Sequence, residues 1–519
     1  MSQHPISKEA LKVLEALANP KPIKIKKPLI PRQIIETFTP LPPIKSIDAK
    51  SPVIYEHEEV LALLISKAEK LSSIQWAELV GSPKISASKY QIAIVDKVGQ
   101  LAIENDFAIC HNNQSVHLYN GAFWKKYDND RFSKFLGEIA QKLGVDKWLT
   151  KSYLFRDQLV KQFFASAYLP VPSIDKNKVL INLQGGTFVI KASQQIDAKQ
   201  RGFKQSDFLT YQLPFSYDKE AQAPIFKTFL NRVLPEFEKQ QLLAEYLGYV
   251  FIRHGSNILK EERILVLFGS GANGKSVIFE VLRSLLGTEN MSNYSLESLT
   301  DTNGYYRAQI DTKILNYASE ISEKMNNDRF KLMASGEPIE ARHPSGRAMM
   351  LDHYAKLMFN CNVLPRETEK THGYFRKFLI IPFEVEIPEA EQNKRLHSEI
   401  IEAELPGVFN WILEGLTRLL ENRGFTECES SKKALAKYRL ETDNVRLFVD
   451  EENYRGQKAN ERGTPLGDLY SNYKSYCNEG GYKPLNKVNF SKRLTDLGHY
   501  LKRGTGGQRE FNIIKTTIV

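Results

Sequence analysis

An uninterrupted apolar segment, Ile264 to Phe268, runs through Gly269-Ser-Gly-Ala-Asn-Gly-Lys-Ser276 into Val277 to Leu286, whose apolar residues recur at helical spacing until Gly287. Five apolar residues without polar alternation read as a strand buried on both faces, the habit of parallel sheets. The glycines permit a tight turn from that strand into a helix, with backbone N–H groups gathered at the helix N-terminus. Strand, glycine loop and helix in this order predict an α/β domain. The loop also has the spacing in which backbone N–H groups cradle phosphates, the lysine reaches the β- and γ-phosphates and the hydroxyl ligates Mg²⁺. Gly269, Gly271, Asn273, Gly274, Lys275 and Ser276 are therefore the candidate residues for a nucleoside triphosphate, with Ser276 also a candidate metal ligand. A glycine-rich turn without a ligand is the competing reading, and the flanking strand and helix count against it.

A chain of 519 residues exceeds what one core organises, and its length predicts about three or four domains. A formal charge of +10 points to a polyanionic partner, with nucleic acid the first candidate and plain solubility the alternative. Cys110, Cys361, Cys428 and Cys477 lie far apart with no Cys-x-x-Cys pair. That spacing argues against a zinc module and a disulfide framework, and for a reducing, cytoplasmic setting. No apolar segment is long enough to span a bilayer, and the first residues lack a signal-peptide core, so neither membrane insertion nor secretion is expected.

Nine of the 23 prolines precede Val53, among many lysines, so residues 1–52 read as an extended arm. Residues 53–217 mix helices and short strands and read as an N-terminal α/β domain without a legible task. Asp128-Asn-Asp130 has a spacing used to hold two divalent metals. The segment directly precedes a helical run, however, where an aspartate caps orphan N–H groups, and the cap is the preferred reading. Two helices from Pro224 to Arg253 lead into the apolar strand and open a motor domain over 218–423, closed by a helical lid around Leu405 to Leu413.

Hydrolysis beside a phosphate loop needs a carboxylate at the end of a neighbouring strand, to ligate Mg²⁺ and orient water. Ile314 to Glu320 supplies one, making Glu320 the candidate catalytic carboxylate and metal ligand, ahead of Glu323. A second strand, Lys356 to Asn362, ends in a polar group suited to sensing a γ-phosphate. Asn362 is preferred to Asn360, with a turn-forming asparagine ahead of Pro365 as the alternative. Between these strands Pro344-Ser-Gly346 predicts a hairpin with Arg342, His343 and Arg347 near its tip, placed to grip a phosphate backbone. Arg376, before the apolar run Phe378 to Pro382, is the candidate arginine finger; its planar guanidinium suits it better than Lys377.

Together the glycine loop, Ala318-Ser-Glu320, Lys331 with Gly336 to Arg342, Asn362-Val-Leu-Pro365 and Phe375 to Phe383 resemble the superfamily-three helicases, in particular the helicase half of phage, plasmid and poxvirus-type primase-helicases. The resemblance is most specific from Leu242 to Phe383. It implies an AAA+ core, a hexameric ring, ATP with Mg²⁺, and 3′-to-5′ movement on single-stranded DNA during replication of a mobile genetic element in a bacterial host cell. Two departures stand out. Many relatives carry paired acids where this chain has Ser319-Glu320, and no primase signature precedes Val179, so priming would fall to a separate primase or polymerase.

Residues 424–519 read as a C-terminal winged-helix domain: two helices, Leu466 to Asn478 and Leu485 to Leu497, then a glycine-rich wing. Lys487, Asn489, Lys492 and Arg493 would face a duplex groove, and Lys502, Arg503 and Arg509 the backbone. Protein interaction is the alternative use of such a module. For the whole chain the rivals are an origin-binding initiator that uses ATP as an assembly switch and a small-molecule kinase; the latter leaves the hairpin and the wing unexplained.

Overall fold

The computed structural model describes residues 54–112, 115–166, 175–192, 196–319, 321, 325–344, 346–365, 372–458, 461–504 and 507–516. The expected arm lies outside these. Helices α1 (His57–Lys67), α2 (Ser73–Val80) and α3 (Ala87–Glu104) precede an antiparallel sheet of β1 (Ala108–Asn112), β2 (Ser115–Tyr119) and β3 (Trp124–Tyr127). Helices α4 (Asn129–Lys142) and α5 (Tyr153–Ser166) follow, and their apolar faces share a core with α1 and α3 around Val60, Ile94, Phe132 and Leu159. Asp128 is the α4 cap, its Oδ1 accepting from the N–H groups of Asp130 and Arg131 at 3.1 and 2.9 Å. No cluster of three metal-ligating side chains occurs among the described residues, so the metal reading of Asp128 and Asp130 has no support.

A second antiparallel sheet, β4 (Lys178–Leu183), β5 (Gly186–Ala192) and β6 (Ile196–Arg201), sends Val179, Ile181, Phe188 and Ile190 into a different core. They pack with α6 (Pro224–Val233), α7 (Phe237–Tyr249) and the central sheet, not with the N-terminal helices to which the sequence would assign them.

The central sheet is wholly parallel. It comprises β7 (Ile264–Phe268), followed by α8 (Lys275–Leu286), then β8 (Met291–Ser292) and β9 (Leu315–Ala318). After α9 (Asn327–Ser335) comes a separate hairpin, β10 (Ile339–Arg342) and β11 (Ala348–Leu351), and the sheet is completed by β12 (Lys356–Cys361) and β13 (Phe378–Pro382). The order is β13-β7-β12-β9-β8, so the strand that leads into the glycine loop is an inner one. Helix α10 (Leu396–Asn422) is not a surface lid, because it lies along α7 within the core. The two helices approach so closely that a Cβ on Gly415 would sit 2.3 Å from the Ala244 carbonyl carbon, and one on Gly248 2.6 Å from Leu416. Only glycine allows that separation. Buried Glu404 of α10 accepts from the N–H groups of Ile225 and Phe226 at 2.8 and 2.9 Å, capping α6 from a distance.

Helix α11 (Glu429–Glu441) packs on β13: Ser431 donates to the Ile380 carbonyl, and Tyr438 is buried with its hydroxyl on Pro365 O. It belongs with the sheet, whereas the sequence would begin the terminal module at 424. That module's core, around Phe448, Tyr473, Phe490 and Phe511, is built from α12 (Asn444–Glu451), β14 (Tyr454–Gly456), β15 (Thr464–Pro465), α13 (Leu466–Glu479), α14 (Lys487–Asp496), β16 (Leu501–Arg503), β17 (Arg509–Phe511) and β18 (Ile513–Lys515). Strands β15, β17 and β16 form one small sheet, β14 and β18 another.

Candidate functional site

The glycine loop leaves β7 at the C-terminal edge of the sheet, where inner strands and helix N-termini converge. A Cβ on Gly269 would lie 2.3 Å from the Phe383 carbonyl oxygen, and Gly274 has a φ of +85° with the Phe229 ring against it. Both positions demand glycine. The Lys275 ammonium donates to Gly269 O, Ser270 O and Asn273 Oδ1 at 2.8, 2.8 and 2.9 Å. Burial lowers its pKa below the ordinary lysine value. Asn273 Nδ2 in turn donates to Ser270 O at 2.5 Å, so the loop is held by its own side chains.

Around this loop opens a cavity of about 840 Å³, lined by Gly271, Ala272, Asn273, Gly274, Lys275 and Ser276, together with Ser319, Asn360 and Asn362. Asn360 lies in β12 and Asn362 just beyond its end, and both line the cavity. The Tyr317 hydroxyl donates to Asn360 Oδ1 at 2.7 Å, leaving the Asn360 amide N–H groups for the cavity. Asn362, the sequence's choice, therefore shares the position with the asparagine it was preferred to. Glu320 lies outside the described residues, as does Glu323; the preceding Ser319 reaches the cavity from the end of β9.

Sequence reasoning missed the opposite wall, formed by Ile225, Thr228, Phe229 and Arg232 of α6. Their i, i+3, i+4, i+7 spacing marks one helical face and was a readable signal. Arg232 sits at the cavity mouth, paired with Glu391.

Arg376 is not in the cavity. It precedes β13 at the opposite end of the sheet, 57 % exposed, 3.1 Å from Glu262. Lys377 beside it is buried, its ammonium 2.6 Å from Glu262 and hydrogen-bonded to Ser335 at 2.5 Å.

The hairpin forms as expected, with Arg342 paired to Ala348. Arg342 and Arg347 are exposed, and Arg342 lies over the Tyr305 ring. His343 turns inward, its Nε2 2.9 Å from Lys126 Nζ of β3, so it joins the hairpin to the N-terminal part instead of projecting. In the terminal module Lys487, Lys492, Arg503 and Arg509 are exposed. A groove of about 600 Å³ runs between α14 and the wing, lined in part by Lys487, Val488, Ser491, Gln508 and Arg509. Two expected contacts are otherwise engaged. Arg493 grips Asp443 through Nε and Nη2 at 2.8 and 2.5 Å, and Lys502 pairs with Glu510 at 3.7 Å and bonds the Glu461 carbonyl. Both hold the module together.

Comparison with known proteins adds family evidence. A family model described as "D5 N terminal like" matches residues 93–235, one described as "Poxvirus D5 protein-like" matches 441–506, and a family of unknown function (DUF5906) matches 267–377. The chain is 24 % identical over 353 residues to a protein of Acanthamoeba polyphaga mimivirus described as "Putative helicase L207/L206", over 62 % of this chain and 35 % of that one. It thus spans about a third of that relative's length. Among solved structures, an apo form of the NrS-1 C-terminal region aligns over 80 % of this chain and 98 % of that one at 12 % identity and a TM-score of 0.44, and a second apo form at 13 % and 0.44. No helix among the described residues is long and apolar enough to cross a membrane. The D5-type matches on both flanks of the parallel sheet and a viral relative described as a helicase support a primase-helicase-type family for this chain.

Proposed function

We propose that this chain is an ATP-driven DNA helicase of the superfamily-three type, acting in replication of a mobile element. One observation carries the reading: Lys275, Ser276, Ser319, Asn360 and Asn362 converge on a single cavity at the C-terminal edge of a parallel sheet. The ligand fits this chemistry, because Lys275 is already held by three oxygens in a loop whose close approaches exclude side chains at Gly269 and Gly274. In this reading Lys275 neutralises the β- and γ-phosphates, Ser276 and Glu320 hold Mg²⁺, Glu320 orients the attacking water, and Asn362 with Asn360 reads the γ-phosphate. Mg²⁺ would neutralise charge on the transferring phosphate.

The phosphate loop on an inner strand of an all-parallel sheet supports an AAA+ core. The helices and wing after 443, with their groove, support a winged helix that touches duplex DNA through Lys487, Lys492, Arg503 and Arg509. Arg376, at the end of the sheet away from its own cradle, would serve a neighbour's nucleotide in a homo-hexamer, and Arg342 and Arg347 would grip a single strand moving 3′-to-5′. Priming would come from a separate primase or polymerase. Strand displacement at subsaturating protein, with ATP turnover followed beside it, is the test. Duplex binding that depends on ATP without displacement would instead establish the initiator reading.

A further inference from the structure

Four basic side chains meet at the end of the sheet opposite to the cradle. Arg253 and His254 follow α7, and His353 and Lys356 bracket the start of β12. Lys356 Nζ lies 3.1 Å from His254 Nδ1 and 4.1 Å from the centre of the Tyr249 ring, and the His254 and His353 rings are 6.0 Å apart. Lys356 is 5 % exposed, Arg253 and His254 are half-buried and His353 is exposed, so the group forms a recess with a lysine floor and a wet rim.

The recess is short of negative charge. The groups around Lys356 are Tyr249 from α7, His254 from the following loop, and His353 and Tyr354 from the turn before β12, while Arg253 acts on His353 and donates to the Phe208 carbonyl at 3.1 Å. None is a carboxylate; Asp207 acts on Arg253, and Glu337 on the Tyr354 hydroxyl. His254 Nε2 is buried without a hydrogen-bond partner among the described residues, an arrangement that calls for a ligand or an explanation. Burial lowers Lys356 to about 7 and holds His254 well below the usual imidazole value. An anion would relieve both.

The recess also touches the foot of the hairpin. Helix α9 ends at Gly336, where a Cβ would lie 2.2 Å from His254 Nδ1, and the Tyr354 hydroxyl donates to Glu337 O at 2.9 Å, two residues before β10.

We propose that this recess is a second phosphate site, separate from the nucleotide cradle, which holds a backbone phosphate of a single strand at the foot of the β10–β11 hairpin. The strand as source of the phosphate rests on the nucleic-acid reading above; the phosphate chemistry does not. Binding favours the charged lysine, so a proton is taken up from solvent, and affinity falls as pH rises above about 7 by up to about tenfold per unit.

Calorimetry on the full-length chain with an oligothymidylate, at about pH 8 in two buffers of different ionisation heat, tests this. The parent should take up close to one proton per strand bound. Lys356→Met, an apolar near-isostere compatible with burial, should bind about tenfold more weakly with no uptake, and His254→Gln should weaken binding with partial uptake. Inorganic phosphate at millimolar concentration should compete with the strand in the parent and not in Lys356→Met, which separates this site from the nucleotide cradle. Unchanged affinity and uptake in Lys356→Met overturn the site, whereas a parent that binds no oligothymidylate overturns the nucleic-acid reading instead. Phosphate binding with full uptake but no strand binding overturns the strand as its source.

Discussion

Replacing Arg376 and Lys377 in turn should separate catalysis from stability, although the two are adjacent and share Glu262. Arg376 is 57 % exposed, and an exposed ion pair is worth about 0–1 kcal/mol, so Arg376→Ala should leave the melting temperature almost unchanged. Lys377 is 4 % exposed on its side chain, and its removal leaves Glu262 and Ser335 facing each other without the ammonium. Breaking a buried pair costs about 3–5 kcal/mol. Because Glu262 is 27 % exposed and can relax toward water, the lower end applies, about 3 kcal/mol. At roughly 2–4 °C per kcal/mol, Lys377→Ala should melt about 6–12 °C lower.

The pH dependence follows the same pair. Hydrogen bonding to Lys377 holds the Glu262 carboxyl down to about 2. Its contribution is therefore complete above the ordinary glutamate range and is lost as pH falls toward 2, a loss that Lys377→Ala should reduce to the part that Lys260 and Arg376 still supply. Arg376→Ala should bind ATP and assemble but hydrolyse about 10³-fold or more slowly, since that is what a finger supplies. Mixing is the decisive assay. Rings combining Arg376→Ala with Glu320→Gln subunits should recover turnover where an intact Glu320 meets an intact Arg376. Mixed rings as inactive as either variant, or an Arg376→Ala protein that hydrolyses at the parent rate, would refute action across the interface.

Lys275→Ala should lose most nucleotide affinity in a fluorescent-nucleotide titration, while Glu320→Gln should bind ATP and fail to turn it over in a phosphate-release assay. Arg342→Ala with Arg347→Ala should abolish the stimulation of hydrolysis by single strands and the displacement of duplex, measured side by side. Lys487→Ala with Arg509→Ala should weaken duplex binding and reduce the slope of log affinity against log salt by about two, read from a salt titration. A truncation meant to remove only the terminal module should start after Thr442, because α11 packs on β13.

What the sequence made legible was governed by local rules. The strand-loop-helix unit, the hairpin at Pro344-Ser-Gly346 and the two helices before the wing each follow from apolar period and turn chemistry within about 20 residues. The assignments that moved depended on distant partners. Nothing local tells Arg493 from Lys492, yet α14 turns Arg493 toward Asp443 of the α12 cap and leaves Lys492 in water. His343 looked like a tip residue until β3 supplied Lys126 from far upstream. Helix α10 read as a lid because its glycines carry no sign of the partner they approach; Gly415 and Gly248 acquire meaning only once the helices cross. The α6 wall of the cavity was visible as a helical face, but only the fold shows that this face turns to the loop.

Strand β12 joins the two sites by parity as well as by sequence. Lys356, Met358 and Asn360 alternate onto one face, so the lysine at the floor of the basic recess and the Asn360 amide at the cradle belong to the same side of one strand. The strand is buried between β7 and β9, each paired to it in register over four residues. A slip of one residue would turn all three side chains to the opposite face, so β12 cannot adjust piecemeal. It can move only as a unit with its neighbours, or not at all. Any force a bound strand exerts on Lys356 therefore bears on the same rigid element that presents Asn360, with Tyr317 of β9 holding that amide at 2.7 Å.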